Sequence, residues 1–361
     1  MADEICSGPG FGTFEQQDKV LVALSGGVDS SVCIRILQEQ GFDVRALVIR
    51  FSPAHDAAVE AARAVAGQLG VPLEVEDCTR LFDEAVVAPF CENYCQGVTP
   101  SPCVLCNPLV KFRVLADAAD RMGIRFIASG HYARVTEQRG VYYVQKAVSA
   151  ARDQSYMLYR LPQDILSRLC LPVGEFEKDD IREMARAFGL VSADKPDSQE
   201  ICFIPDGDYA GFIAGRGLAD KPGRFIGPLG EDLGPHKGVS HYTVGQRKGL
   251  GIAYGQPVFV KRITESGDVR LALSGDEFYT GVTLTDLVRG DGRPYQPGER
   301  FAVKIRSRAV PAPCVVAQAA DGALTVRFDE PLRAPAPGQS AVFYTEDRVV
   351  GGGIIETLLE D

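Results

Sequence analysis

Val20-Leu21-Val22-Ala23-Leu24-Ser25-Gly26-Gly27-Val28-Asp29-Ser30-Ser31 decides the fold of this chain. Its first five residues are apolar, and a short apolar run of that kind reads as a strand covered on both faces. Gly26 and Gly27 turn the backbone sharply. Val32-Cys33-Ile34-Arg35-Ile36-Leu37-Gln38-Glu39-Gln40 then continues as a helix stopped by Gly41. Strand, glycine turn and helix N-terminus make an anion site. Amides of the first helical turn have no internal partner, and the helix dipole adds partial positive charge there. Ser25, Ser30 and Ser31 add hydroxyl donors. Asp29 would repel a phosphate unless a cation lies between them, which points to Mg²⁺ accompanying a nucleotide pyrophosphate. No GxxxxGK[ST] pattern is present, so this is not a Walker loop.

Working outward, residues 44–49, 71–75 and 125–129 read as strands. Residues 57–69, 81–95 and 110–122 read as helices, and 97–106 as a loop braced by two prolines. Strands alternating with helices predict an α/β fold with a doubly wound parallel sheet. Ligands of such sheets sit at the carboxyl ends of the strands, so Ser25 and Ser129-Gly130-His131 are expected to line one pocket. Composition changes near residue 205: 14 glycines lie in residues 1–205 and 24 in residues 206–361. Short apolar runs at 257–263, 301–305, 323–328 and 341–344 replace the helical pattern there, predicting an all-β region built as a small barrel.

A chain of 361 residues has room for two or three domains, and 45% hydrophobic with 24% charged residues is ordinary for a globular protein. With a net charge of −10 it has no general attraction to nucleic acid, so such a partner needs a local basic patch. Gln246, Arg247, Lys248, Lys304, Arg306 and Arg308 are the expected patch. No apolar run reaches membrane-spanning length, and residues 1–18 read as a loose extension without a signal-peptide core. A cytoplasmic protein with no membrane partner is the expectation.

Ten cysteines in a reducing compartment suggest redox or metal chemistry rather than a disulfide framework. Thr99-Pro100-Ser101-Pro102-Cys103-Val104-Leu105-Cys106-Asn107 carries a CxxC, and Pro196-Asp197-Ser198-Gln199-Glu200-Ile201-Cys202-Phe203 carries a third thiol just before the composition change. A lone CxxC is a poor zinc signature. Three cysteines can hold a four-iron–four-sulfur cluster with one open iron, whereas Cys106 and Cys202 alone suit a redox or sulfur-carrying pair. Cys6, Cys33, Cys78, Cys91, Cys95, Cys170 and Cys314 read as buried structural thiols.

Taken together, these residues resemble the tRNA-specific 2-thiouridylase family of the N-type ATP pyrophosphatase superfamily, from about Lys19 to Glu356. The matching stretches are residues 25–31, Ser129-Gly130-His131-Tyr132-Ala133-Arg134, Asp153-Gln154-Ser155-Tyr156 and Thr243-Val244-Gly245-Gln246-Arg247-Lys248-Gly249-Leu250-Gly251. The resemblance implies a catalytic ATP pyrophosphatase domain at 19–205, a small central domain at 206–277 and a tRNA-binding β-barrel at 278–361. It implies a transferase that adenylates the 2-oxygen of a wobble uridine with ATP and replaces it with persulfide sulfur. Cys106 corresponds to the nucleophile and Cys202 to the persulfide carrier, the two forming a transient disulfide. Ala23, Leu24, Ser25, Gly26, Gly27, Val28, Asp29, Ser30, Ile49 and Gly130 correspond to ATP-contacting positions. Ser101, Pro102 and Cys103 correspond to the stretch beside the target base, and Arg152, Asp153, Gln154, Arg306 and Ser307 to tRNA contacts. Both reacting thiols are expected to have lowered pKa values or a positive environment. The implied partners are tRNA and a protein sulfur donor, a cysteine desulfurase or a sulfur-relay protein.

One position departs from the family pattern. Many relatives have DxxC where this chain has Cys103. A carboxylate for proton transfer is therefore missing, or Cys103, Cys106 and Cys202 bind an iron–sulfur cluster. Outside the family, the loop also suits synthetases that adenylate a carboxylate, and the chain also suits a non-catalytic RNA-binding protein with ATP as a structural ligand. Neither needs the Cys106 and Cys202 pair.

Overall fold

A computed structural model describes residues 19–195, 201–320 and 322–360. The chain forms two compact units that interleave along the sequence. The first takes its described residues from 1–85, 103–203 and 347–350, and the second gathers 86–102, 204–346 and 351–361.

The first unit is built on β1 (Lys19–Ala23), β2 (Asp43–Arg50), β3 (Leu73–Asp77) and β4 (Phe126–Ser129). The hairpin β5 (Ala133–Gln138) and β6 (Val141–Lys146) and the short β7 (Leu169–Cys170) follow. Five of these make one parallel sheet in the order β3-β2-β1-β4-β7. The central strand shows why its sequence is uniformly apolar: Val20, Leu21 and Val22 have no exposed surface. Each such side chain removed from water stabilises the fold by roughly 1.5–3 kcal/mol. Helix α1 (Val28–Glu39) packs Val32, Cys33, Ile34 and Leu37 into the core shared with Val20 and Val22. Helix α2 (Asp56–Leu69) ends at Gly70 in the left-handed conformation, as a glycine C-cap should.

Register brings the site together. Ala23 is level with Leu47 on one side and with Ser129 on the other. The turn after β1 and the turn after β4 therefore emerge side by side at the carboxyl edge, as the doubly wound reading requires.

Two readings need correction. Residues 97–106 are not all loop, because Pro102–Cys106 is one helical turn. It passes into a wider π-helical turn, Asn107–Lys111, and then the helix Phe112–Arg121. Pro108 explains the widening, since it has no N–H to continue the regular ladder. The stretch 81–95 is likewise three pieces: helices Thr79–Phe82 and Ala88–Cys95 flank a π-helical turn, Asp83–Val87.

The later all-β region is two sheets rather than one barrel. β8 (Arg224–Ile226), β9 (Asp232–Pro235), β10 (Val258–Ile263) and β11 (Val269–Leu273) pair in the order β10-β11-β8-β9 over a core of Phe225, Tyr242, Val260 and Leu271. The barrel follows: β12 (Phe278–Arg289), β13 (Arg300–Lys304), β14 (Ala312–Ala320), β15 (Ala323–Arg333), β16 (Ser340–Thr345) and β17 (Arg348–Leu359). Pairing of β12 with β17 closes the ring and removes its open edges.

Candidate active site

The turn between β1 and α1 has the geometry of a phosphate cradle. Gly26 has φ 71°, a left-handed value that glycine adopts without strain. A Cβ on Gly26 would lie 2.7 Å from Ala61 Cβ and from the Ala62 nitrogen, so α2 walls one side of the turn. A Cβ on Gly27 would meet only Ser25 Oγ, at 3.5 Å, so the other side is open. Gly27 caps α1 in an extended conformation with no side-chain acceptor, which leaves first-turn amides available to an anion.

The serines mostly shape the turn rather than reach outward. Ser31 Oγ donates to the Gly27 carbonyl at 2.7 Å and Ser30 Oγ to the same oxygen at 3.2 Å. Ser30 Oγ also accepts from the Ser25 amide at 3.2 Å and lies 3.1 Å from Ser25 Oγ. Gly130 is needed where the second turn meets the first, because a Cβ there would fall 2.6 Å from the Ser30 nitrogen. Ile49 is buried at the end of β2, and Leu24 and Val28 are buried on either side of the glycines.

Asp29 already has a cation beside it, and that cation is a lysine. Lys178 Nζ donates to Asp29 Oδ1 at 2.7 Å, and the Tyr132 hydroxyl donates to the same oxygen at 2.7 Å. Lys178 is nearly buried and lies 5.6 Å over the Tyr132 ring. It is the first residue of the helix Lys178–Ala187, whose capping box pairs Glu177 with Asp180. A lysine in a first turn opposes the helix dipole, and the Asp29 carboxylate beside it offsets that cost. Lys195 Nζ adds a contact to the Gly26 carbonyl at 3.2 Å. The charge logic that assigned Mg²⁺ to Asp29 is thus met in part by Lys178. Among the described residues Oδ2 of Asp29 carries no hydrogen bond, and the side chain keeps 30% exposure, so one oxygen remains available to a metal ion.

Gln154 holds Tyr132 in place through both of its main-chain groups. Gln154 Oε1 accepts from the Tyr132 amide at 2.8 Å, and the Gln154 amide donates to the Tyr132 carbonyl at 2.7 Å. Asp153 binds the Ala147 amide and the amide and hydroxyl of Ser155, and the Arg152 amide donates to Ser149.

The three thiols are electrostatically coupled. Cys106 is buried, Cys103 half-buried and Cys202 exposed, and all three are free thiols. Burial pushes the Cys106 thiol up to about 12, and Cys103 and Cys202 act on it in the same direction. Burial also raises Cys103. Cys202 is pushed up to about 11, chiefly by burial and further by Cys103. The expected lowered pKa values are therefore not present in this form: a thiolate loses more solvation than the local charge returns. A positive group does exist, and sequence reading missed it. Lys111 lowers all three thiols. Its Nζ lies 3.5 Å from His131 Nε2, while His131 Nδ1 lies 2.8 Å from Ser129 Oγ. Burial and Lys111 hold His131 well below the usual histidine range, so the ring is neutral.

Among the described residues no group of three His, Cys, Asp or Glu is arranged to hold a metal ion, so the iron–sulfur reading of Cys103, Cys106 and Cys202 has no ligand set. The polar stretch 196–200 before Cys202 lies outside the described residues, as do the 1–18 extension and Cys6.

In the second unit the expected basic patch divides. Arg247, Lys248 and Arg308 are exposed, whereas Lys304 is buried in the barrel, 6.0 Å over the Tyr344 ring. Arg306 Nη2 donates to the Val244 and Ala334 carbonyls at 2.8 Å each, clamping the 243–251 segment to the barrel. Ser307 is half-buried beside it, Ser101 is half-buried and Pro102 is buried. Among the described residues no helix is long and apolar enough to cross a membrane.

A parallel sheet with this glycine turn defines a HUP-type nucleotide-handling domain, and the family described as tRNA methyl transferase HUP domain matches residues 18–206. The tRNA methyl transferase PRC-barrel domain matches 211–269 and the aminomethyltransferase β-barrel domain 284–355. The chain belongs to the tRNA-specific 2-thiouridylase family. It is 43% identical to the tRNA-specific 2-thiouridylase MnmA of Carboxydothermus hydrogenoformans over 94% of this chain and 98% of that one. It is 42% identical to the MnmA proteins of Acetivibrio thermocellus and Syntrophotalea carbinolica, in each case over 94% of this chain and 99% of the relative.

Proposed function

We propose that this chain is a tRNA-uridine 2-sulfurtransferase. It adenylates the 2-oxygen of a wobble uridine with ATP, releasing pyrophosphate, so that AMP becomes the leaving group. Persulfide sulfur on Cys202 then attacks the carbon. Cys106 attacks the inner sulfur of Cys202 as the outer one departs, leaving a Cys106–Cys202 disulfide for an external dithiol to reduce. The carrying observation is that one compact unit holds both the Asp29 anion turn and the three free thiols Cys103, Cys106 and Cys202.

In this reading the residues 23–30, Ile49 and Gly130 surround the nucleotide. Asp29 faces the Mg²⁺ that accompanies the triphosphate, and Lys178 holds that carboxylate in position. Ser101, Pro102 and Cys103 lie beside the target base. Arg152, Asp153, Gln154, Arg306 and Ser307 contact or shape the tRNA surface, and exposed Arg247, Lys248 and Arg308 supply the phosphate attraction an acidic chain lacks. The sulfur donor is a protein that delivers a persulfide, such as a cysteine desulfurase or a sulfur-relay protein. Working boundaries are 19–205, 206–277 and 278–361.

The test is reconstitution with ATP, Mg²⁺, tRNA and a persulfide donor, followed by nucleoside mass spectrometry. 2-Thiouridine and AMP should appear in equal amounts. Cys202→Ser should release pyrophosphate without forming thiouridine. Cys106→Ser should form none while still gaining sulfur on the Cys202 peptide. Thiolation by Cys202→Ser would overturn the assignment.

A further inference from the structure

We propose that Tyr132 sets the metal preference of the Asp29 carboxylate: together with Lys178 it occupies both lone pairs of Oδ1, so that a divalent cation is met by Oδ2 alone. The proposal rests on the reading above that Asp29 faces the nucleotide's metal. It adds a positioning residue and the kind of cation that residue favours.

The backbone brings Tyr132 to Asp29. A Cβ on Gly130 would fall 2.7 Å from the Asp29 carbonyl carbon and 2.6 Å from the Ser30 nitrogen. Glycine is therefore what lets the turn after β4 seat on the first turn of α1. Two residues on, the Tyr132 hydroxyl donates to Asp29 Oδ1 at 2.7 Å, and Lys178 Nζ donates to the same atom at 2.7 Å. The tyrosine is 4% exposed and its ring lies 5.6 Å from the ammonium, so the two donors hold each other as well as the carboxylate. Its main chain is fixed on both sides. Gln154 Oε1 accepts from the Tyr132 amide at 2.8 Å, and the Gln154 amide donates to the Tyr132 carbonyl at 2.7 Å. Gln154 is in turn the N-cap of the helix Ser155–Leu158, where its carbonyl accepts from the Met157 amide at 3.0 Å.

A carboxylate oxygen offers two lone pairs. Both on Oδ1 are engaged by donors, so a cation chelated by the two oxygens together would have to displace the tyrosine or the lysine. Oδ2 carries no hydrogen bond among the described residues and can bind end-on. A single-oxygen contact suits Mg²⁺ or Mn²⁺, which take octahedral shells and share them with substrate phosphates. Ca²⁺ takes more oxygens and readily takes both from one carboxylate. Tyr132 thus holds Asp29 in the form that serves the smaller ion.

The experiment uses the full-length protein with α,β-methylene ATP. Electron paramagnetic resonance counts free Mn²⁺, with the share bound by the analogue alone subtracted, and Mg²⁺ or Ca²⁺ is added as competitor. Wild type should prefer Mg²⁺ to Ca²⁺. Tyr132→Phe keeps the ring and removes one donor. It should weaken Mn²⁺ and Mg²⁺ binding by about tenfold, as loss of a group orienting a metal ligand does. Ca²⁺ binding should fall by less, so the preference narrows. Gln154→Ala, which loosens the ring, should shift the preference the same way, and Gln154→Glu, which keeps the accepting oxygen, should restore it. A merely structural tyrosine would weaken all three ions by one factor, and an unchanged preference in Tyr132→Phe would overturn the proposal. Mn²⁺ binding undiminished in Asp29→Asn would refute the metal placement on which the proposal rests. Loss of binding there beside an unchanged preference in Tyr132→Phe would refute the proposal alone.

Discussion

Lys178 and Asp29 are separated by 149 residues and meet at 2.7 Å, with the lysine side chain 8% exposed. Removing one partner of a mostly buried pair strands the other charge, which costs about 3–5 kcal/mol when burial is complete. Asp29 keeps some access to water and a hydroxyl donor from Tyr132, so the expected loss for Lys178→Met is smaller, about 2 kcal/mol. Urea titration measures it. Lys178→Met/Asp29→Asn should be more stable than the sum of the single variants, and simple additivity would show the pair to be uncoupled. Pyrophosphate release should fall at least tenfold in Lys178→Met, because the carboxylate loses the group that aims it. Asp29 was legible in the sequence because an acid inside an anion turn is out of place. Lys178 and Lys111 were not. A single lysine carries no periodic signal, and what marks these two is burial and contact across the fold.

At the scale of the element, the two glycines of the turn look interchangeable in sequence and differ in space. Gly26→Ala combines a left-handed φ with a 2.7 Å approach to α2, and the first alone costs about 1–2 kcal/mol. The variant should lose at least 2 kcal/mol in denaturant titration. Gly27→Ala meets nothing closer than 3.5 Å and should unfold within about 0.5 kcal/mol of wild type. It should nevertheless bind ATP more weakly in calorimetry, because its methyl group enters the open face where phosphate would lie. Equal ATP affinity would place the phosphates elsewhere. The strand–turn–helix was readable because period and glycine placement agree. The Cys106 segment was misread as a loop because two prolines dominate it, whereas Pro102 occupies a first turn that tolerates proline and Pro108 widens the helix instead of ending it. The five basic residues of the expected RNA patch lie in the 243–251 segment and at or just past the end of β13, yet only some face water. Arg247→Ala/Lys248→Ala should reduce the salt slope of tRNA binding by about two, and Lys304→Ala should leave it unchanged while lowering stability.

For the whole molecule, buried titratable groups set a stability window in pH. On the acid side His131 is neutral in the fold and held well below the usual value of 6.5, with His55 shifted the same way. Below pH 6.5 the unfolded chain takes up protons that the native chain refuses, so stability falls as pH falls. The slope approaches about 1.4 kcal/mol per pH unit for each such group. On the alkaline side the thiols behave in mirror image. Cys106 and Cys314 rise from 9.0 to about 12 through burial, and Cys78 from 9.0 to about 11. Above pH 9 the unfolded chain releases protons that the native chain retains, so stability is lost as pH rises from 9 toward 12. Denaturant midpoints across pH should therefore form a plateau between about 6.5 and 9 with a fall on each side. Cys314 lies in the barrel, fully buried, and Cys106 in the first unit, so each unit carries its own alkaline sensor. Cys314→Val keeps shape while removing the proton, and should flatten the alkaline fall without touching the acid one. His131→Gln should do the reverse. If Cys314→Val left the alkaline slope unchanged while the variant remained folded, burial of that thiol would not be what makes the barrel sensitive to base, and the buried Tyr279 of β12, pushed up to about 12, would have to account for the loss.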